Sequence, residues 1–230
     1  MKILAVDSSA KACSAAITDD NRIIGSFFIN TALTHSETLV PMIEAVLKNT
    51  KTDLESIDCL AVSAGPGSFT GVRIGVSAVK GIAMPLDKPC VAVSTLEAMA
   101  YNLIDRDCVV CAVMDARCRQ MYNALFKVQN GTITRLCDDR ALSINDLGDE
   151  LKSYNESIIL VGDGAELCYN SFKELNQNIK LAIESQRYQN AAGVALASQN
   201  KETISARELM PSYLRLPQAE RELKKKTEGK

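Results

Sequence analysis

The stretch VSAGPGSFTGVRIGVSAVKGIAM (Val62–Met84) decides how the chain is read. An apolar strand, Cys59–Val62, enters a loop, Gly65-Pro-Gly-Ser-Phe-Thr-Gly71. The spacing then predicts a helix over Gly71–Met84, stopped by Pro85. A helix N-terminus offers unpaired N–H groups and a positive dipole end, so an anion could sit there. The loop is not a Walker motif, because Val72 and Arg73 stand where its lysine would follow the last glycine. Gly75, Ser77, Ala78 and Gly81 keep one side of the helix thin. Each glycine costs about 1 kcal/mol relative to alanine inside a helix, so two of them either have a packing reason or simply reflect tolerance. Phosphate contact, close packing and partner contact all remain open at this point.

Upstream, Ile3–Val6 reads as a strand ending at Asp7, with a turn at Ser8–Lys11. Strands at Ala12–Thr18 and Ile23–Ile29 follow. Next comes THSETLVPMIEAVLKNT (34–50), in which Thr34 and Glu37 have capping-box spacing and Leu39, Ile43, Val46 and Leu47 share a helical face. Pro41 should kink this helix or mark its first turn. Downstream, Cys90–Val93 is a strand, and Ser94 and Glu97 cap a further helix to about Leu103.

The pattern then restarts. A second apolar run ends at Asp115 and is followed by a turn, a strand, a turn at Gln129–Gly131 and another strand. Asp7 precedes Asn21 by fourteen positions, and Asp115 precedes Asn130 by fifteen. Strand, aspartate and hairpin thus open each half. This is the layout of a duplicated α/β, two-lobed, actin-like (ribonuclease H-like) fold. Residues 1–105 form the first lobe, completed by the alanine-rich helix near 190–201. Residues 106–216 form a smaller second lobe, and 217–230 a basic tail read as solvated chain.

Composition narrows the function. The chain has 230 residues, is 47% hydrophobic and 23% charged, and carries a net charge of −2 with no tryptophan. An aromatic platform for single-stranded nucleic acid and a global basic field are both disfavoured. No signal peptide or apolar run of about 20 residues is present, so a cytoplasmic protein without membrane contact is expected, with its eight cysteines reduced. Cys108 and Cys111, at i and i+3 on a strand, point to opposite faces and read as buried small hydrophobes rather than a metal pair.

Two site readings follow. In the first, Asp7, Ser8 and Ser9 with Gly162, Asp163 and Gly164 contact the phosphates and adenosine of a nucleotide at the lobe junction. The chain would then be an ATP-dependent small-molecule kinase or nucleotide hydrolase. Each group has a plainer reading, as a tight β-turn and a strand-to-helix turn. No serine–histidine, cysteine–histidine or nucleophile-elbow arrangement is visible. His35 is the only histidine, so two imidazoles cannot share one metal; it reads as a structural residue, and a metallopeptidase fails on ligand count.

In the second, ILAVDSS, THSETLVPMIEAVL, SAGPGSFTGVRIGVSAVKGIAM, VSTLEAMA, DARCRQMY and PSYLR together resemble the TsaB (YeaZ) family, across nearly the whole chain. The resemblance implies a non-catalytic partner in making threonylcarbamoyladenosine on tRNA. Its catalytic relative, TsaD, holds metal through His-x-x-x-His, and Thr95 and Met99 stand at those two positions here. A neutral hydroxyl and a soft thioether suit a hard catalytic metal poorly. The family's second-lobe pattern is broken at Cys118 and Gln120, to which no role is assigned. The implied partners are a TsaD-like paralogue, a TsaE-like ATPase and, for the isolated chain, a second copy, with tRNA met only indirectly and no cofactor required. The expected contact surface is the helix pair near 36–48 and 71–84, with Leu39, Val40, Ile43, Val72, Val76 and Val79 as apolar contacts and Gly75 and Gly81 permitting close approach.

Overall fold

The computed structural model describes residues 1–31, 33–117 and 119–215; the basic tail and Cys118 lie outside them. The first half builds β1 (Lys2–Asp7), β2 (Cys13–Asp19), β3 (Arg22–Ile29), α1 (His35–Thr50), β4 (Cys59–Gly65), α2 (Phe69–Ala83), β5 (Cys90–Ser94) and α3 (Thr95–Ala100). The second builds β6 (Cys108–Asp115), β7 (Gln120–Gln129), β8 (Thr132–Arg135), β9 (Arg140–Ser143), α4 (Ile144–Leu151), β10 (Ile158–Val161), α5 (Ala165–Phe172), β11 (Ile179–Leu181), α6 (Glu184–Arg187) and α7 (Ala191–Ser198).

The duplication is explicit in the sheets. The first runs β3-β2-β1-β4-β5 and the second β8-β7-β6-β10-β11, the same order at equivalent positions, with β9 added along β7. In each, an antiparallel hairpin is followed by parallel strands reached through helical crossovers. Helices α1 and α2 cover one face of the first sheet, and α4 and α5 one face of the second. Between the sheets lie α3, packed on β6 and β7, and α7, packed on β1, β2 and β4. Cys108 and Cys111 fall into the two separate cores on either side of β6, as their strand spacing predicts.

Three local expectations change. Thr34 precedes α1 but its side chain makes no cap; the Glu37 amide bonds instead to the Thr34 carbonyl at 3.0 Å. Pro41 lies inside α1, on its exposed side, where the Glu37 carbonyl that it leaves without a donor also faces outward. The chain beyond α7 returns to the first sheet rather than finishing the second lobe. Ile204 forms a two-bond bridge with Cys90, and Ala206 and Leu209 are buried in the core under α2.

The lobes are tied by charge at one side of α3. Glu97 accepts from Arg135 of β8 at 3.1 Å and from Lys201, just beyond α7, at 3.0 Å. Arg135 also pairs with Asp139 at 2.6 Å, and Asp139 takes the Ser94 hydroxyl at 2.6 Å. Asn102 adds bonds to the Gln186 and Tyr188 carbonyls.

The glycines of the opening stretch serve the first hairpin. A Cβ on Gly67 would lie 2.4 Å from the Ser9 carbonyl oxygen, on Gly71 2.1 Å from that of Ser8, and on Gly75 2.6 Å from the Ser8 hydroxyl. Gly71 and Gly75, at i and i+4 on one face of α2, and Gly67 in the loop before it together form a stripe that receives the β1–β2 turn. Two bonds lock the seat: the Ser68 amide to the Ser9 carbonyl at 2.6 Å, and the Ser8 hydroxyl to the Gly71 carbonyl at 2.9 Å. Gly81, in contrast, meets nothing within 4 Å. Chemical unfolding should therefore separate two identical substitutions. Gly71→Ala should cost about 1–3 kcal/mol by overpacking, while Gly81→Ala should gain about 0.5–1 kcal/mol from helix propensity alone. Equal effects would mean that the stripe is not a seat.

Candidate functional site

Asp7 is enclosed. Its carboxylate accepts the Ser9 amide at 2.9 Å, the Ser9 hydroxyl at 2.7 Å and the Ser63 hydroxyl, and it is 1% exposed. Burial pushes its pKa above the ordinary carboxylate range, opposed by those three hydrogen bonds. Ser8 and Ser9 are equally buried: the Ser8 hydroxyl bonds to the Gly71 carbonyl, whereas Ser9 gives its amide and hydroxyl to Asp7 and its carbonyl to the Ser68 amide. The expectation that Asp7 and Ser8 meet phosphate is corrected here: both are buried and neither lines the interlobe cleft.

An open cleft of about 540 Å³ lies beside this seat. The first lobe contributes Ser9–Lys11 and Pro66–Thr70, the second Met114–Arg117, Tyr122 and Asp163, and the returning chain Ser212–Arg215. The second hairpin repeats the first: the Arg117 amide bonds to Asp115 at 2.7 Å as the Ser9 amide does to Asp7. Here, however, the aspartate is exposed. Of the six nucleotide-contact residues expected, only Ser9 and Asp163 line the cleft. Gly162, at φ +106° with its Cβ position 2.0 Å from the Val113 carbonyl oxygen, and Gly164, packed on β6 and β7, form a tight strand-to-helix turn instead. Asp163 accepts from Gln189 at 3.2 Å. Lys11, Asp115, Arg117 and Arg215, which put charge into the cleft, escaped sequence reasoning. The signal for Asp115 was the repeat itself, which places it where Asp7 stands in the first half.

The expected contact residues divide sharply. Leu39, Ile43, Val72, Val76 and Val79 are each at most 3% exposed and form the core between the helices and the first sheet. They are not surface contacts, because amphipathic helices turn their most apolar stripe onto their own sheet. Gly75 is buried against Ser8 and Val62. Val40, 47% exposed, and Gly81 do face outward. Around them the outer side of the pair carries Pro41, Glu44, Ser77 and Met84, with Ile74, Ala78 and Ile82 half-buried.

Thr95 and Met99 are both 0% exposed, with Met99 in the core between α3 and the second sheet. His35 holds the Ala10 carbonyl through Nε2 at 2.6 Å, which fixes the proton on that nitrogen. Among the described residues, no three His, Cys, Asp or Glu side chains gather as a metal site, and no helix is long and apolar enough to cross a membrane.

The TsaD family model, described as tRNA N6-adenosine threonylcarbamoyltransferase, matches residues 29–223. The tRNA threonylcarbamoyladenosine biosynthesis protein TsaB of Haemophilus influenzae is 32% identical, with 94% of each chain covered. The chain belongs to the TsaB (YeaZ) family. The TsaB of Bacillus subtilis is 29% identical over 96% of both chains. The structure of YeaZ from Pseudomonas aeruginosa superposes with a TM-score of 0.76 at 25% identity, covering 92% of this chain and all of that one. The duplicated, two-lobed actin-like fold is thus shared with TsaB-family structures.

The enclosure of Asp7 predicts a pH signature. Its pKa is raised on folding, so the folded state takes up the proton more readily. Below the ordinary carboxylate range, near pH 4, both states are protonated and the group costs nothing. As pH rises through the folded pKa the cost of a buried charge sets in. Asp7→Asn keeps an acceptor for Ser9 and can donate to Ser63. Its stability relative to the native chain should therefore rise from acid pH toward neutrality in urea titrations. A constant difference across that range would show that Asp7 carries no such cost.

Proposed function

We propose that this TsaB-family chain is a non-catalytic subunit that pairs with a TsaD-type paralogue and supports threonylcarbamoyl transfer to the adenosine beside the anticodon of tRNA, in the cytoplasm. One observation carries the reading: the two positions matching the catalytic relative's histidines, Thr95 and Met99, are sealed inside the protein's own core. They serve packing, so what the chain can offer is surface. The names of its relatives place them in threonylcarbamoyladenosine biosynthesis, and the family model joins the chain to TsaD itself.

The surface best suited to pairing is the outer side of α1 and α2. Ser77, Ala78 and Gly81 hold α2 thin, which lets a facing helix approach closely. Val40, Ile74, Ile82 and Met84 supply apolar area around them. Two such helices against two from the paralogue form a four-helix contact, of a type that buries about 1,600 Å² in all. A second copy of the chain would occupy the same face in isolation, and a TsaE-like ATPase would join the assembled pair. The subunit's help is bounded by its differential affinity for the paralogue's competent conformation. No step of this role needs a cofactor on the chain itself.

Gly75 is a poor probe of this face, because its substitution strikes the Ser8 turn. Gly81→Glu and Ser77→Arg enter open surface and leave the core alone. Co-purification with the TsaD-type partner should fall at least about tenfold for each, with unchanged thermal melting, and threonylcarbamoyladenosine in tRNA should fall in parallel. Retained pairing in both variants would remove this face from the interface. Threonylcarbamoyladenosine formed by the purified chain alone from an activated donor would overturn the non-catalytic reading.

A further inference from the structure

The returning chain, residues 204–215, makes a continuous series of bonds that ends across the cleft. It starts on the edge strand of the first sheet, where Ile204 and Cys90 exchange two backbone bonds at 2.8 Å. Leu209 is fully buried, and the Lys80 ammonium of α2 bonds to the Arg207 and Leu209 carbonyls at 3.1 Å. The Ser212 amide then reaches the Ala64 carbonyl at 2.7 Å, at the end of β4. Tyr213 stacks on Phe69 with ring centroids 4.5 Å apart, and its hydroxyl accepts from Arg73 at 2.8 Å, whose guanidinium covers the other aromatic ring at 3.8 Å. All of these partners belong to the first lobe. Among the described residues, Arg215 alone crosses over, donating to the Ala116 carbonyl of the second-lobe turn at 2.7 Å.

We propose that residues 204–215 form a strap whose catch is the Arg215–Ala116 bond, and that this strap sets how far the two lobes open. Its placement supports this. Ser212–Arg215 form one wall of the cleft, between the glycine loop of the first lobe and the Asp115–Arg117 turn of the second. The Glu97 cluster and Asn102 hold the lobes together around α3, so the cleft side has room to swing. The anchors are unequal. The root is fixed by backbone bonds, a buried leucine and an aromatic stack, whereas the catch is one guanidinium–carbonyl bond at the cleft's edge. Such a bond is the element that yields first when the lobes separate.

The test uses the full chain with Arg215→Ala, Arg215→Lys, and Lys80→Met, which loosens the root and leaves the catch. Amide hydrogen exchange and small-angle X-ray scattering are the readouts. Loss of the catch should speed exchange of the Ala116 and Arg117 amides about fivefold, the weight of one hydrogen bond. It should also raise the radius of gyration without lowering the melting temperature appreciably. Arg215→Lys, which keeps a donor, should restore part of the protection. Lys80→Met should speed exchange within 204–211 only. If Arg215→Ala changes exchange in the strap but not at Ala116 and Arg117, and leaves the scattering curve unaltered, the strap merely decorates the first lobe and the proposal is wrong.

Discussion

The seating of the first β-hairpin turn in a stripe of glycines is the contact on which the rest of the first lobe depends. Ser8 and Ser9 approach the start of α2 so closely that no side chain fits between them. That approach fixes α2 against β1 and β4, and α2 in turn fixes the position of α1 and of the returning chain. It also determines what the lobe can do. The Ser8 hydroxyl is given to α2 and the aspartate behind the turn is closed in by three hydrogen bonds, so of this turn it is Ser9–Lys11 that borders the cleft. The glycines that resemble an anion cradle in the sequence are accounted for by close packing against the Ser8–Ser9 turn.

Duplication makes this plainer, because the molecule holds its own control. Both halves open with strand, aspartate and turn, and both aspartates take the amide two residues ahead. In the second copy Gly162 and Gly164 pack on the end of β6 rather than on the described part of the hairpin turn, and Asp115 stays exposed to the cleft. The same local arrangement thus faces inward in the first lobe and outward in the second. The chemistry still accessible is concentrated in the second-lobe turn and in the strap that meets it.

Much of this was legible in the sequence. Apolar runs, turn residues and the repeated aspartate indicate the element order and the two lobes. Short elements such as β9, β11 and α6 carry too few residues to show a period. The site was less legible for a definite reason. The stripe of Leu39, Ile43, Val72, Val76 and Val79 is apolar whether it faces a sheet or a partner, and periodicity cannot say which. Only the third dimension shows that the sheet claims it and that the outer face is carried by small and mixed residues such as Ser77 and Gly81. Likewise, the glycine spacing shows that something comes close but not what. Arg215 could not be read at all, since its partner is a backbone carbonyl, which leaves no mark in the sequence.

The position of α7 bears on how the molecule comes into being. This helix covers the inner face of the first sheet, over Ile3, Ala5 and Ala16, yet it is synthesised long after the strands it covers. During translation the N-terminal lobe leaves the ribosome with that face bare and must wait for some hundred further residues before it is sheltered. Its folding is therefore not a local event but a long-range closure. Contacts so distant along the chain are the kind that form late, after the local ones.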